Sequence, residues 1–388
     1  MSGALFVSNG HGEAAIADRI ALELRGLVPE MEIDHLALVG DVASESMRDV
    51  GPVRTMPSGG LIAMGDVRNI ARDVRSGLIG LTLAQFAFLR SARRQYAVVV
   101  AVGDTYACAM ALVAGAPLVF VGTAKSVSVA PYGPIEERFL RRAAACFVRD
   151  DATARRLADR GLRVEPAANV IVDLFAAVED PVAVRAAAGF DPALALFPGS
   201  RASAYADAAM LLRVTRELAL ARPSLGALLS VARGLDVERF VRAAESAGWE
   251  VFAGDGRAVP FALALEGRVR VRGWIGPLGP LLVRTALVLG QAGTANEAAA
   301  AAGVPVAAFE TGRNGKGAWY RRRQRGLLGD ALALFPADVA TAAAGVGALL
   351  DDPDRRAHMS RVGRDRMGSP GGARRIAQRI AAIAQGRS

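Results

Sequence analysis

Gly290-Gln291-Ala292-Gly293-Thr294-Ala295-Asn296, followed at once by Glu297 and the alanine run 298–302, reads as a strand end, a glycine turn and a helix start. Residues 285–289 (Thr-Ala-Leu-Val-Leu) form a short apolar strand before it. The glycines let the backbone approach a ligand closely, and the alanines are strong helix formers. N–H groups at such a helix start, with the positive end of the helix dipole, favour phosphate oxygens. Glu297, in the first turn, can accept hydrogen bonds from ribose hydroxyls as the acidic residue of dinucleotide folds does. The turn is therefore suited to a nucleotide diphosphate, with Gln291, Gly293, Thr294, Asn296 and Glu297 as its candidate contacts. The alternative is an ordinary glycine-rich turn.

Two further turns share this pattern. Residues 193–197 (Ala-Leu-Ala-Leu-Phe) read as a buried strand running into Pro198-Gly199-Ser200-Arg201, which offers backbone N–H groups, a hydroxyl and a guanidinium able to pair bidentately with phosphate. Residues 227–231 form a third strand, ending in Ala232-Arg233-Gly234. In a parallel sheet all three turns gather along one carboxyl edge, where open α/β sheets bind ligands. A structural role is the alternative for both Arg201 and Arg233.

The N-terminal half repeats the arrangement with different chemistry. Residues 4–8 are a strand, Asn9-Gly10-His11-Gly12-Glu13 its turn, and residues 14–27 an amphipathic helix with Ile16, Ile20 and Leu24 on one face. A second unit runs from strand 96–102 through Gly103-Asp104-Thr105 to helix 106–114. His11, set between two glycines, suits a general base, since an imidazole with a reference pKa near ~6.5 can take a proton from an attacking hydroxyl. Asp104 is its partner or itself the base, or else a helix cap. Glu13 is a further candidate, or only a partner of the helix dipole.

Composition narrows the classes. With 388 residues, 52% hydrophobic and 22% charged, the chain is globular and long enough for two domains. Its net charge of +9 is an arginine excess, because Lys125 and Lys316 are the only lysines. Nucleic-acid motifs are lacking and aromatics are only 6%, too few for stacking platforms, so nucleic acid is not an expected partner. Cys108 and Cys146 form no Cys-x-x-Cys pair, and His11, His35 and His358 lack metal-ligand spacing, so neither a disulfide framework nor a metal is expected. The N-terminus lacks the pattern of a signal peptide, and no apolar run reaches membrane-spanning length, so a cytoplasmic protein is expected.

Alternating strands and helices imply parallel sheets. The pattern weakens between Val170 and Asp191 and resumes at Ala193, so domains are expected at 1–170 and 171–365, with residues 366–388 as a helix crossing back. Residues 76–94 read as an apolar helix ending in Arg90, Arg93 and Arg94, either a buried packing helix or one lying in an anionic membrane interface. Residues 319–325 (Trp-Tyr-Arg-Arg-Arg-Gln-Arg), with Arg313 and Lys316, form a basic cluster that either holds an anionic substrate or is solvated.

Two Rossmann-like halves with phosphate-type turns on the second and a His/Asp pair on the first resemble the GT-B glycosyltransferases. Phe197-Pro198-Gly199-Ser200-Arg201 and Gly293-Thr294-Ala295-Asn296-Glu297 look like donor-site motifs of lipid-A-disaccharide synthase. Ser8-Asn9-Gly10-His11-Gly12-Glu13, Phe147-Val148-Arg149-Asp150 and Arg323-Gln324 before Leu327-Leu328-Gly329 look like the lipid-A-disaccharide synthase-related family, a likeness covering nearly the whole chain. It implies two Rossmann-like domains facing across a cleft, with C-terminal helices packing back towards the first. The implied activity is inverting, metal-independent transfer of a sugar, an N-acetylhexosamine for instance, from a UDP-sugar to an acceptor that a lipid could carry. The chain would need no cofactor beyond the UDP-sugar donor. Asp104 matches the synthase's catalytic aspartate. A UDP-sugar epimerase of the same fold and a non-catalytic nucleotide-sugar binder are the alternatives.

Overall fold

Short runs of valine, leucine and alanine form the central, parallel strands of two sheets. A computed structural model of the chain describes residues 3–39, 44, 46–54, 74–123, 125–175, 189, 193–310 and 316–386. The chain divides into unit 1, Met1–Leu174 with Ser369–Ser388, and unit 2, Phe175–Gly368.

Unit 1 holds β1 (Gly3–Ser8), β2 (Glu32–Ala37), β3 (Arg48–Asp49), β4 (Val98–Gly103), β5 (Leu118–Gly122) and β6 (Ala145–Phe147). They pair in parallel in the order β3-β2-β1-β4-β5-β6. Helices cover such a sheet on both faces, which is why β4 and β5 are buried at every position and read as unbroken apolar runs. The order changes direction between β1 and β4, the place where open α/β sheets form their ligand crevice. The described helices are α1 (His11–Leu27), α2 (Leu78–Ser91), α3 (Thr105–Ala111), α4 (Pro134–Leu140) and α5 (Asp151–Ala158). The C-terminal helix, Gly372–Ala384, packs on α1. Its first N–H groups are capped by the buried Asp173 carboxylate, which accepts from Gly371 N at 2.5 Å and Ala373 N at 2.7 Å.

β2 is a strand that apolar patterning misses, because it carries Asp34 and His35 into the interior. Both are satisfied there. Asp34 accepts from Arg48 Nε at 2.9 Å and from the Tyr96 hydroxyl at 2.7 Å. Burial, reinforced by that bond to Asp34, pushes the Tyr96 phenol well above its usual pKa. His35 lies between Ser8 Oγ, 2.8 Å from Nε2, and Asp49 Oδ1, 3.0 Å from Nδ1.

α2 resolves the choice left open for residues 76–94 into two faces. Leu81, Gln85 and Leu89 are buried, and Gln85 Nε2 donates to Leu38 O at 2.9 Å and Pro52 O at 3.1 Å. Ile79, Leu83 and Phe86 on another face are 58%, 64% and 44% exposed.

Unit 2 contains β7 (Leu194–Phe197), β8 (Ala227–Ser230), β9 (Glu250–Ala253), β10 (Phe261–Leu265), β11 (Arg268–Trp274), β12 (Leu287–Gly290), β13 (Val306–Glu310) and β14 (Leu332–Pro336). Their order is β14-β13-β12-β7-β8-β11-β10-β9, parallel from β14 to β11 and antiparallel through β10 and β9. The direction changes between β7 and β12. The helices are α6 (Ala204–Ala221), α7 (Val237–Ser246), α8 (Gly279–Arg284), α9 (Thr294–Ala301), α10 (Lys316–Leu328), α11 (Val339–Asp351) and α12 (Pro353–Met367). A core of Leu196, Leu211, Phe240, Leu289 and Phe309 fills the space between helices and sheet. Among the described residues no helix is long and apolar enough to cross a membrane.

Candidate functional site

In unit 2 the topology brings two of the three sequence-predicted turns together. β7 and β12 are paired neighbours, so the turns leaving them are adjacent. Gln291 N and Ala292 N both donate to Phe197 O, at 2.8 and 3.1 Å, and a Cβ added to Gly199 would meet Ala292 Cα at 3.9 Å. α9 starts at Thr294. Its backbone ladder opens with Asn296 N and Glu297 N donating to Gly293 O at 3.1 and 3.3 Å, which leaves the Thr294 and Ala295 N–H groups ahead of the ladder. Ser200 and Arg201 are exposed on the opposite turn, while Thr294 and Glu297 are half-buried. Arg233 is exposed in the turn after β8, the next strand along.

Gln291 and Asn296 have side chains held inside the protein rather than displayed. Gln291 Nε2 donates to Phe309 O at 3.0 Å and its Oε1 accepts from Phe309 N at 3.3 Å, tying the turn to β13. Asn296 is fully buried, and its Nδ2 donates to Gly290 O at 2.9 Å and Gln324 Oε1 at 3.3 Å. Gly290 is required by this packing, since a Cβ there would stand 1.8 Å from Asn296 Oδ1.

The basic run on α10 separates by environment. Arg322 pairs with Glu310 at 3.4 Å and Arg325 with Asp330 at 2.6 Å. Arg321 turns inward, as does Gln324, and both bind the turn around Gly293. Arg313 and the side chain of Lys316 lie outside the described residues. The inward arginine was not legible in the run, because five neighbouring residues of similar polarity give no sign of which one faces the sheet.

In unit 1 the crevice between β1 and β4 collects carboxylates. Asp104 caps α3 by accepting from Ala107 N at 3.0 Å, and its other oxygen accepts from Asn9 Nδ2 at 3.2 Å. Glu13 lies over both strand ends. A Cβ on Gly10 would stand 2.9 Å from Glu13 Oε2, and one on Gly103 would stand 3.1 Å from Glu13 Cγ. Both glycines also have φ in the left-handed region, +121° and +132°, so position and conformation each call for glycine. His11 is the first residue of α1, and its side chain lies outside what the structure describes.

Sequence reading missed the neighbours of Asp104. Thr105 Oγ1 donates to Glu136 Oε1 at 3.1 Å, Lys125 Nζ donates to Glu136 Oε2 at 2.5 Å, and Gly133 N donates to the same oxygen at 2.8 Å. Burial pushes the Glu136 carboxyl up, but the Lys125 and Gly133 bonds and the ammonium charge outweigh it, and the net shift is below the usual carboxylate range. Arg149 is buried and donates to Thr123 O at 3.1 Å. Next to it a small cavity is bounded by Gly122, Thr123 and Asn169, and the buried Thr123 Oγ1 has no hydrogen-bond partner among the described residues. Among the described residues no three His, Cys, Asp or Glu side chains cluster as metal ligands would.

No protein-family model matches the chain. No curated protein matches it in sequence. Solved structures match it along nearly its full length. They include the S. aureus MnaA–UDP co-structure, at 12% identity and a TM-score of 0.63, with 99% of this chain and 97% of that chain covered. UDP-GlcNAc 2-epimerase from Neisseria meningitidis, solved with UDP-GlcNAc, gives 12% identity and a TM-score of 0.59, with 98% and 99% covered. MurG from Acinetobacter baumannii gives 12% identity and a TM-score of 0.55, with 98% and 99% covered. At such identities the likeness carries the fold alone, which is the two-domain α/β GT-B fold.

Proposed function

We propose that the chain is an inverting, metal-independent glycosyltransferase, with unit 2 holding a UDP-sugar and unit 1 receiving the acceptor. One observation carries the donor half of this reading: the turn 198–201 lies against Ala292 beside the start of α9, at the point where the strand order of unit 2 changes direction. Backbone N–H groups, the Ser200 hydroxyl and the Arg201 guanidinium supply the donors a diphosphate needs. Glu297 in the first turn of α9 is the acceptor for ribose hydroxyls. UDP and UDP-GlcNAc in the similar solved structures support the choice of nucleotide.

An acceptor hydroxyl forms a bond to the anomeric carbon while the bond from that carbon to the diphosphate oxygen breaks, and the electron pair leaves with UDP. Ser200, Arg201 and the α9 N–H groups stabilise the charge that develops on the diphosphate. Asp104, oriented by Asn9 and the Ala107 N–H, takes the hydroxyl proton, with Glu13 and His11 as the other base candidates. The likeness of 197–201 and 293–297 to donor-site motifs of lipid-A-disaccharide synthase supports an N-acetylhexosamine donor, and with it a lipid-linked acceptor. The exposed Ile79, Leu83 and Phe86, with Arg90, Arg93 and Arg94 beyond them, suit docking on an anionic membrane surface and so a peripheral cytoplasmic location.

Epimerisation of a UDP-sugar is the second reading, favoured by the UDP-GlcNAc 2-epimerase among the similar structures. Incubation with UDP-sugars, with and without a membrane lipid extract, separates the readings. Transfer releases UDP only when acceptor is present, epimerisation proceeds without it, and a binder returns the sugar nucleotide unchanged. In a parallel titration, Glu297→Ala and Arg201→Ala each weaken UDP binding by about 1.5–3 kcal/mol, roughly ten- to a hundredfold. Unchanged affinity in both would remove the donor assignment.

A further inference from the structure

The carbonyls of the turn before α9 are all held by two side chains of α10. Near an anion a peptide carbonyl repels and a peptide N–H attracts, so a phosphate turn works only if its carbonyls are drawn away from the ligand. Gln291 O accepts from Arg321 Nη2. Ala292 O accepts from Arg321 Nη1 and from Gln324 Nε2, both at 3.2 Å. Gly293 O accepts from Gln324 Nε2 at 3.1 Å. The two side chains are also joined, since Arg321 Nη1 donates to Gln324 Oε1 at 3.0 Å. Arg321 is 7% exposed and Gln324 3%.

A buried guanidinium is an expensive way to hold two backbone carbonyls if packing were the only purpose. All its hydrogen-bond partners among the described residues are neutral oxygens. Asp207 is near enough to act on it electrostatically: burial pushes that carboxyl up from its usual range, while the Arg321 charge pulls it down. A buried positive charge therefore stands behind the turn, where it favours a bound anion.

Tyr320, one residue earlier, meets the same turn at Gly293. Its hydroxyl is 2.7 Å from where a Cβ on Gly293 would stand, and it makes no hydrogen bond to another described residue. Burial raises the phenol, and the Glu297 charge raises it further while Arg321 and Arg201 pull it down, so the two proposed ligand contacts, Glu297 and Arg201, are its electrostatic neighbours.

We propose that α10 forms a third wall of the diphosphate site, in which the Tyr320 hydroxyl donates to a phosphate oxygen and Arg321 and Gln324 are positioning residues that hold the 291–293 carbonyls behind the turn. The inference rests on the reading of unit 2 as a nucleotide-diphosphate site, and the probes keep the two apart. Inorganic pyrophosphate, UDP and uridine are titrated against the parent protein and against Tyr320→Phe, Gln324→Leu and Arg321→Lys, with thermal melts to confirm that each is folded. Tyr320→Phe weakens pyrophosphate and UDP about tenfold, the worth of one hydrogen bond to a charged group, with uridine affinity and melting unchanged. Gln324→Leu and Arg321→Lys weaken UDP about ten- to a hundredfold and uridine by at most a few fold, a selectivity that a purely structural role would not produce.

Tyr320→Phe binding both phosphate ligands like the parent, or the other variants losing UDP and uridine in proportion, overturns the inference. A parent that binds pyrophosphate but not UDP refutes the UDP reading, and the same comparison on pyrophosphate then decides the role of α10. A parent that binds neither refutes both.

Discussion

Replacing Gly290 by alanine tests the packing that sets the start of α9. The added Cβ would stand 1.8 Å from Asn296 Oδ1, 2.6 Å from its Cγ and 2.9 Å from its Nδ2. Asn296 cannot swing aside into water, because it is fully buried and its Nδ2 holds Gly290 O and Gln324 Oε1. Accommodating the methyl means expelling the amide. Overpacking of this kind costs about 1–3 kcal/mol, and the two lost hydrogen bonds about 0.5–1.5 kcal/mol each. A total of about 3 kcal/mol lowers the melting temperature of a unit of this size by roughly 6–12 °C. Asn296→Ala alone leaves Gly290 O without its donor and costs about 1–3 kcal/mol. In the double variant the clash is absent, so its destabilisation stays near that of Asn296→Ala instead of reaching the sum, a coupling of about 2–3 kcal/mol. Thermal and urea unfolding of the four proteins, followed by far-ultraviolet circular dichroism, measures this directly. A Gly290→Ala protein melting within about 2 °C of the parent, or strictly additive effects, would refute the reasoning.

In unit 1, Asp104→Asn and Glu13→Gln lower turnover by at least about tenfold while UDP affinity stays within a few fold, as steady-state kinetics with parallel titration would read. Full turnover in both folded variants would move the base elsewhere, His11 first. Leu83→Glu with Phe86→Glu abolishes flotation with anionic vesicles at low salt, since each nearby arginine adds only about 1 kcal/mol and the apolar contact is gone. A parent that never floats removes the membrane proposal. Burial pushes the Cys108 and Cys146 thiols up to about 12, so a thiol reagent at mildly alkaline pH labels neither in the native protein and both in urea. Because their folded pKa values are raised, the stability they contribute is present below the usual thiol value of 9.0 and is lost as pH rises through about 12. Alkaline melts that stay flat across that window would count against it.

The sequence by itself determined the α/β class and the parallel sheets, because a strand covered on both faces is apolar at every position and the glycine turns after it are local chemistry. The strands through residues 98–102, 118–121 and 194–197 are all of this kind. Local patterning was silent on β2, whose Asp34 and His35 are buried only because Arg48, Tyr96, Ser8 and Asp49 arrive from elsewhere in the chain. It was equally silent on the antiparallel pair β9 and β10, half of which is an exposed edge.

The same division runs through the candidate sites. The turns at 198–201 and 290–297 were legible as glycine-rich strand ends, and the tertiary structure decided that they are neighbours, because β7 and β12 pair across the point where the strand order changes direction. It also decided which polar side chains near them are displayed and which are internal. Gln291 and Asn296 bind backbone within the fold, Glu13 fits over two glycines 93 residues apart in sequence, at positions 10 and 103, and Arg321 of the basic run turns beneath the turn with Gln324. A one-dimensional pattern records what each residue can donate or accept. Which of those groups meets water, a ligand or a buried carbonyl depends on long-range packing, and only the folded chain sets that.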